Sequence, residues 1–462
     1  SMNLKNELLI NYKEESKFVG YDKLGLETEV LAIMKDNSFV DTCSEDCYIF
    51  LKENPFYAES GGQVSDSGYL KNDKCKLEVT NVIKAPNGQH LLEVKVLEGT
   101  INKGDKILTH VSKEKRLAIM KNHSAAHLLQ KSLQELLGDA VHQAGSKVDE
   151  ESLRFDFTYQ GKLSDELILK VENLVNEKIQ AGYETNIEYM NIKEAKEKGA
   201  MALFNDKYGS TVRVVTLGPS IELCAGTHVS NTKDINKFAI AIVENKGADT
   251  YRIIGTTDAN IPKVLEEEIK KYNDEMIKLL DKAKKIINAA KELDIDLDFN
   301  FNINNDIPTS YRDIVINKNE LETLRESLKK LEKDFTTKKS EKSVSDLSSF
   351  LEIKEEINGI TTIITITNGY DIASLKQIAS ALSNQIGDNN FVLLANVNEN
   401  NSVNYIAKAT SNRINCGEIV KDLSVRSGGN GGGNKSFAQG GGTDATIVSK
   451  ILMNVKEQIN TL

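Results

Sequence analysis

The stretch KRLAIMKNHSAAHLLQKSLQELLG, residues 115–138, decides how the middle of this 462-residue chain is read. Apolar residues recur in it at three- and four-residue intervals, which predicts a helix with one face in a core. Gly138 supplies a C-terminal stop. His123 and His127 lie four apart, about one helical turn, so both imidazoles share a face. Such a pair alone is more often bonded to neighbours than to a metal. About a hundred residues on, ELCAGTHVS (222–230) repeats the spacing with Cys224 and His228. The two pairs offer three nitrogens and one sulfur, a donor set that suits tetrahedral zinc. His90, His110 and His142 are scattered without such partners. Four protein ligands describe a structural zinc, and a weak or missing one opens a position for a water that becomes hydroxide-like near neutral pH; the sequence leaves both open.

The composition is that of a globular protein, 40% hydrophobic and 27% charged. The length predicts three or four domains. No apolar run approaches the roughly 20 residues that span a bilayer, and SMNLKNELL has no signal-peptide pattern, so a cytoplasmic protein without a membrane partner is expected. Five cysteines make no disulfide framework. Cys43 and Cys47 lack a matching second pair and are expected as solvated or half-buried thiols rather than a metal site. The net charge of −10 argues against wholesale coating of nucleic acid but leaves room for a local basic patch.

The fold class expected is multidomain α+β. Residues 1–108 read as a small β-barrel, from short runs such as ETEVLAIM, DCYIFL, LEVTNVI and HLLEVKVLEG separated by turn residues. Residues 109–258 mix two helices with strands; the second helix starts at Ser164, an N-cap with Asp165 and Glu166 in its first turn. Residues 259–345 carry a heptad seam, Leu265 to Leu293 and then Leu321 to Phe335, broken by DIDLDFNFNINNDIPTS. An antiparallel helical hairpin fits best, and a self-associating coiled coil shares the pattern. Residues 346–462 follow β–α–β order and end in SGGNGGGNKSFAQGGG (427–442), an α/β module. That run lacks Walker spacing, which argues against ATP, but its backbone N–H groups suit a phosphate. Tight packing that needs glycine is the other reading. Arg413, Lys421, Arg426 and Lys435 surround Gly431 and Gly432. Residues 405–462 hold seven Lys/Arg against four Asp/Glu, which fits contact with a nucleic-acid backbone.

Taken together, these motifs resemble the editing region of alanyl-tRNA synthetases and the freestanding AlaX-type editing proteins. NPFYAESGGQVSDSG (54–68) resembles the signature of the barrel. HSAAH and CAGTH resemble the two zinc-ligand motifs. QAGSKV (143–148), LRFDF (153–157) and GAMALFNDKYGSTVRVV (199–215) fall between them in the family order. The glycine-rich run resembles the DHHA1 module shared with DHH phosphoesterases. No stretch resembles the class II aminoacylation motifs, so the ATP-using ligase domain is expected to be absent from this sequence.

The resemblance implies a deacylase that hydrolyses serine or glycine from mischarged tRNA(Ala), with zinc held by His123, His127, Cys224 and His228. Such a second sieve is needed because an alanine pocket cannot strongly reject glycine or serine. Gln143 matches a polar pocket position, and Ser124 lies beside the first ligand; both are candidate catalytic residues. Arg154 and Asp156 share one side of a strand and are candidates for substrate binding, or for an ion pair that steadies the pocket. Phe155 and Phe157 point the other way, into the core. The C-terminal module is implied to bind tRNA, through Arg413, Lys421, Arg426, Gly431, Gly432 and Lys435, or to form a homodimer. A non-catalytic tRNA-binding or dimerisation piece with a structural zinc is the alternative. Two departures stand out. Ala126 replaces a frequent threonine, which puts serine discrimination in question, and Ala225 replaces a usual glycine.

Overall fold

The computed structural model describes residues 3, 6–201, 208–345 and 347–462. Residues 202–207, within GAMALFNDKYGSTVRVV, lie outside the described residues. The chain divides into two compact units, one of residues 1–275 and 303–321, the other of residues 276–302 and 322–462.

In the first unit, six strands alternate buried and exposed residues and close on themselves: β1 (Glu27–Lys35), β2 (Cys47–Leu51), β3 (Gly68–Lys71), β4 (Cys75–Lys84), β5 (His90–Gly99) and β6 (Lys106–Val111). Around the barrel the order is β1-β2-β5-β4-β3-β6, and β6 returns to β1 with Ile107 opposite Thr28. Closure leaves these six strands paired in a ring, and the short strand Ser38–Val40 adds to the end of β1. Val30, Ile49, Leu77, Val79 and Leu92 fill the interior. Cys43 and Cys47 belong to this core, which corrects the expectation of solvated thiols: short apolar strands carry them inward.

The helix read from residues 115–138 is α1 (Lys113–Leu137), capped by Ser112, whose Oγ accepts from the Lys115 N–H. It packs with α2 (Asp165–Ala181), which Ser164 caps as expected. Two antiparallel sheets complete the region. One runs β7 (His142–Val148), β8 (Leu153–Thr158), β13 (Thr250–Thr257), β12 (Phe238–Gly247). The other is β9 (Thr185–Met190), β10 (Val212–Leu217), β11 (Ser220–Leu223). A single core gathers Leu128, Leu129, Phe155, Phe157, Val175 and Ile240 with Leu265 and Tyr311.

The heptad seam forms two helices, α3 (Ile261–Glu292) and α4 (Tyr311–Ser345). They are not the antiparallel hairpin the seam suggested. In the second unit Ala283 packs with Leu328 and Leu331, and further along both helices Lys342 bonds the Leu293 carbonyl at the end of α3. Position rises together on the two helices, so they run parallel. The connecting residues 293–310 make this feasible: extended they reach roughly 60 Å, and the 32-residue α3 is roughly 48 Å long. The return segment descends beside α4, with Lys338 on the Asp296 carbonyl at 2.7 Å and Leu297 and Phe299 in the shared core.

The C-terminal sheet has six strands: β14 (Glu355–Ile357), β15 (Ile360–Asn368), β16 (Asn390–Val397), β17 (Val403–Ala409), β18 (Asn430–Gly433) and β19 (Phe437–Gly442), in the order β14-β15-β16-β17-β19-β18. The expected β–α–β crossover is β15, α5 (Ile372–Gln385) and the parallel β16. Helices α6 (Cys416–Arg426) and α7 (Val448–Asn460) pack on the sheet. Among the described residues no helix is long and apolar enough to cross a membrane.

Candidate metal centre

Helix α1 carries His123 and His127 inward, and the turn after β11 carries Cys224 and His228 toward them. One donor atom from each of the four lies within 4.8 Å of the others. Cys224 Sγ is 3.4 Å from His123 Nε2 and 3.4 Å from His228 Nε2. The His123 and His127 ring centroids each lie within about 5 Å of that of His228. Cys224 Sγ also accepts the Gly226 N–H at 3.3 Å.

Burial should raise the Cys224 thiol, but the surrounding His123, His228 and His127 outweigh it and hold the group well below its ordinary value. Burial and the neighbouring imidazoles press His228 down to about 3, against the pull of Cys224. Burial opposes charge on His127 as well, yet Glu222 and Cys224 raise it to about 10. The thiolate is the form of Cys224 a soft cation requires, whereas His127 would have to release the proton that Glu222 and Cys224 favour. Among the described residues, buried His127 Nδ1 has no hydrogen-bond partner, and neither has Glu222 Oε1. An orphaned buried imidazole nitrogen beside a thiolate suits a role as a cation's donor.

The turn is held from outside. Arg213 donates to the carbonyls of Cys224 (3.0 Å) and Gly226 (2.8 Å) and stacks over Tyr21, whose hydroxyl donates to the Ala225 carbonyl. The added methyl of Ala225 is accommodated. At Gly226 a Cβ would overlap the His123 ring, so that position requires glycine.

The cluster lies in the wall of an open cavity of about 1180 Å³. Gln143 and Ala126 line it, as do Gln130, Phe155, Glu222 and Tyr189. The structure therefore brings Gln143 to the same space as His123, His127 and Cys224, while His228 joins the donor group without lining the cavity. Ser124 does not reach it. Fully buried, Ser124 Oγ sits 3.1 Å from His228 Nδ1 and accepts the Val229 N–H, so it supports the His228 ring rather than facing the cavity. Arg154 and Asp156 also lie off the cavity lining. Strand alternation turns Phe155 to the cavity and these two away, and Arg252 grips Asp156 with bonds of 2.9 and 3.1 Å. That arrangement favours the steadying ion pair over substrate contact. Phe155 and Phe157 are in the core as expected.

Residues the sequence reading passed over include Glu222, whose Oε2 bonds His127 Nε2 at 2.9 Å, and Gln63. The Gln63 side chain, 1% exposed, reaches His123 from the barrel loop. Its local signal is the GGQ within NPFYAESGGQVSDSG, where two glycines precede it.

In the second unit the glycine-rich run is a β-hairpin, Gly431 opposite Gly440 and Gly432 opposite Gln439. A Cβ at Gly431 would come 2.5 Å from Ser424 Oγ on α6. The glycines let the hairpin lie against α6, which is the packing reading. Gly432 alone of the central glycines faces open space. Lys421 and Lys435 are exposed, Arg426 pairs loosely with Asp422 at 3.8 Å, and Arg413 donates to the carbonyls of Asn358 and Leu462.

Comparison with known proteins gives three family matches. Residues 1–115 match "tRNA synthetases class II (A)", and here that stretch contains the barrel. Residues 212–254 match "Threonyl and Alanyl tRNA synthetase second additional domain", which includes Cys224 and His228. Residues 358–461 match the DHHA1 domain. The alanine–tRNA ligase of Staphylococcus saprophyticus is 34% identical over 466 residues, covering 100% of this chain and 50% of the relative. That of Staphylococcus aureus (strain Newman) is 36% identical with the same coverage. The chain thus spans about half the length of the curated relatives it matches. A solved C-Ala domain from Aquifex aeolicus alanyl-tRNA synthetase covers 23% of this chain and 97% of its own, at 20% identity and a TM-score of 0.22.

Proposed function

We propose, from the premise that this chain belongs to the alanyl-tRNA synthetase family, that it hydrolyses the aminoacyl ester of tRNA(Ala) mischarged with serine or glycine. It does so as the editing part of a synthetase or as a freestanding editing protein. The observation that carries this reading is the convergence of His123, His127, Cys224 and His228 on one another, with the first three lining a cavity that Gln143 also lines.

These four residues would hold zinc, with imidazole and thiolate donors of the type and number a tetrahedral site takes. With one of the four donors weak or displaced, zinc would offer that position to the substrate amino group or a water and would act as a Lewis acid. The chain's own residues do the rest. Gln143 presents an amide that orients the aminoacyl group or the attacking water. Phe155, Val148 and Ala126 give the cavity an apolar wall, which restricts the side chain admitted. Ala126 leaves a serine hydroxyl without a partner there, so glycine is removed at least as well as serine. Lys421, Arg426 and Lys435 contribute a backbone contact for tRNA, as part of a module that binds tRNA or dimerises.

The test is release of serine and glycine from Ser-tRNA(Ala) and Gly-tRNA(Ala), with and without a chelator. Release that the chelator abolishes and zinc restores supports the reading. No release by a zinc-loaded sample removes it and leaves a tRNA-binding or dimerisation piece with a structural zinc.

A further inference from the structure

We infer that Gln63 is a positioning residue for the metal centre, fixing the tautomer of His123 from a loop of the barrel. The inference rests on the metal reading proposed above and adds a part to it.

The hydrogen bonds around the Gln63 amide leave one assignment. The Thr227 backbone N–H can only donate, and it points at Gln63 Oε1 at 2.9 Å. That atom must therefore be the amide oxygen, and the Gln63 NH2 donates to Thr227 Oγ1 at 2.8 Å. The same oxygen lies 2.7 Å from His123 Nδ1. An oxygen there demands that Nδ1 carry a proton. In the neutral ring this leaves Nε2 with its lone pair, and Nε2 is the nitrogen that faces Cys224 Sγ. Gln63 thus ties the first ligand motif to the second and turns the correct nitrogen toward the cation.

The loop itself is held in place. Three residues after Gln63, buried Asp66 pairs with buried Arg116, and Arg116 is two turns before His123 on α1. Arg116 also donates to the carbonyls of Gly20 and Pro55. Gly62 approaches β7 too closely for a side chain: a Cβ would come 2.5 Å from the Ser146 carbonyl. Val148 N–H donates to the Gly62 carbonyl at 2.7 Å, and Val64 N–H to the Val148 carbonyl at 3.0 Å. Glycines 61 and 62, both at positive φ, turn the chain so that Gln63 enters the site. The GGQ signal thus encodes a route for one amide, not only a turn.

Ligand-orienting partners of this type are worth about 10–100-fold in metal affinity. Two substitutions in the full chain separate orientation from packing. Gln63→Met keeps the volume and loses the acceptor. Gln63→Glu keeps an acceptor for His123 and for Thr227 N–H. The readouts are zinc affinity by chelator competition and the His123 tautomer by nitrogen NMR of metal-free, 15N-histidine-labelled protein. Gln63→Met is expected to weaken zinc binding about 10–100-fold and to lose the uniform Nδ1–H tautomer. Gln63→Glu is expected to keep both. Wild-type affinity and tautomer in Gln63→Met, or loss in a folded Gln63→Glu equal to that in Gln63→Met, overturns the inference. If Gln63→Met does not fold, Gln63→Glu decides by the same criterion. A wild-type chain that binds no zinc defeats the metal reading, while the metal-free tautomer measurement still decides the role of Gln63.

Discussion

Around Cys224 the chain gathers four side chains with donor atoms into a buried group; around Gly431 it gathers residues with no side chain at all. Both regions are dense in the residue types that catch the eye in a sequence. In the first, backbone and neighbours exist to aim side chains: Arg213 and Tyr21 hold the turn, Gln63 and Ser124 hold the rings. In the second, the absence of side chains is itself the function, because it lets a hairpin approach α6. Clustered donors must satisfy one another or a ligand, and burial makes an unsatisfied one costly. Clustered glycines carry no such demand, so by themselves they argue for closeness rather than chemistry.

The largest expected effect breaks the first region. Cys224→Ala or His123→Ala should lower zinc content and ester hydrolysis together, by more than the roughly 10–100-fold of a supporting partner. Metal analysis beside a deacylation assay checks it, and unchanged hydrolysis would remove the metal from the account. The second region should respond in stability instead. Gly431→Val should cost about 1–3 kcal/mol by overpacking, read by denaturant unfolding of the second unit. Gly432→Ala, which meets nothing within 4 Å, should change stability by well under that amount. Equal loss of tRNA binding in both variants, with unchanged stability, would revive a phosphate cradle.

A third prediction concerns the packing beneath the site. Burial raises Glu172 to about 7, although the N–H groups of Ile240 and Tyr311 bond it and pull the other way. A carboxyl raised in the folded state contributes stability that is full below about pH 4.5 and is lost as pH rises through 7. Glu172→Gln keeps the acceptor and should flatten that window, by something on the order of 1–3 kcal/mol. Unfolding curves between pH 4 and 8 compare the two proteins; parallel profiles would refute the shift. The smallest effect is at the cavity wall. Ala126→Thr supplies a hydroxyl and should raise the serine-to-glycine hydrolysis ratio about 2–10-fold, the worth of one hydrogen bond.

Much of this was legible from residues alone. Alternation in β1, β4 and β5 gave the barrel, and turn-spaced donors gave the four residues that converge. The shortfall has definite causes. A heptad seam records which face of a helix is buried and says nothing of direction; the length of 293–310 was the clue that α3 and α4 could run parallel. Alternation placed Arg154 and Asp156 together but did not say which side of β8 meets the cavity. Glu222 and Arg213 belong to no local pattern, and the GGQ around Gln63 marks a turn without naming His123, distant in sequence, as its target. Ser124 sits next to one candidate donor, His123, in sequence and bonds a different one, His228, in space.

The central claim is that His123, His127, Cys224 and His228 share one cation. Zinc X-ray absorption on the purified chain tests it most directly. The account predicts one sulfur at about 2.3 Å and nitrogens at about 2.0–2.1 Å. A bound zinc with no sulfur in its coordination shell, unchanged by Cys224→Ala, would contradict it.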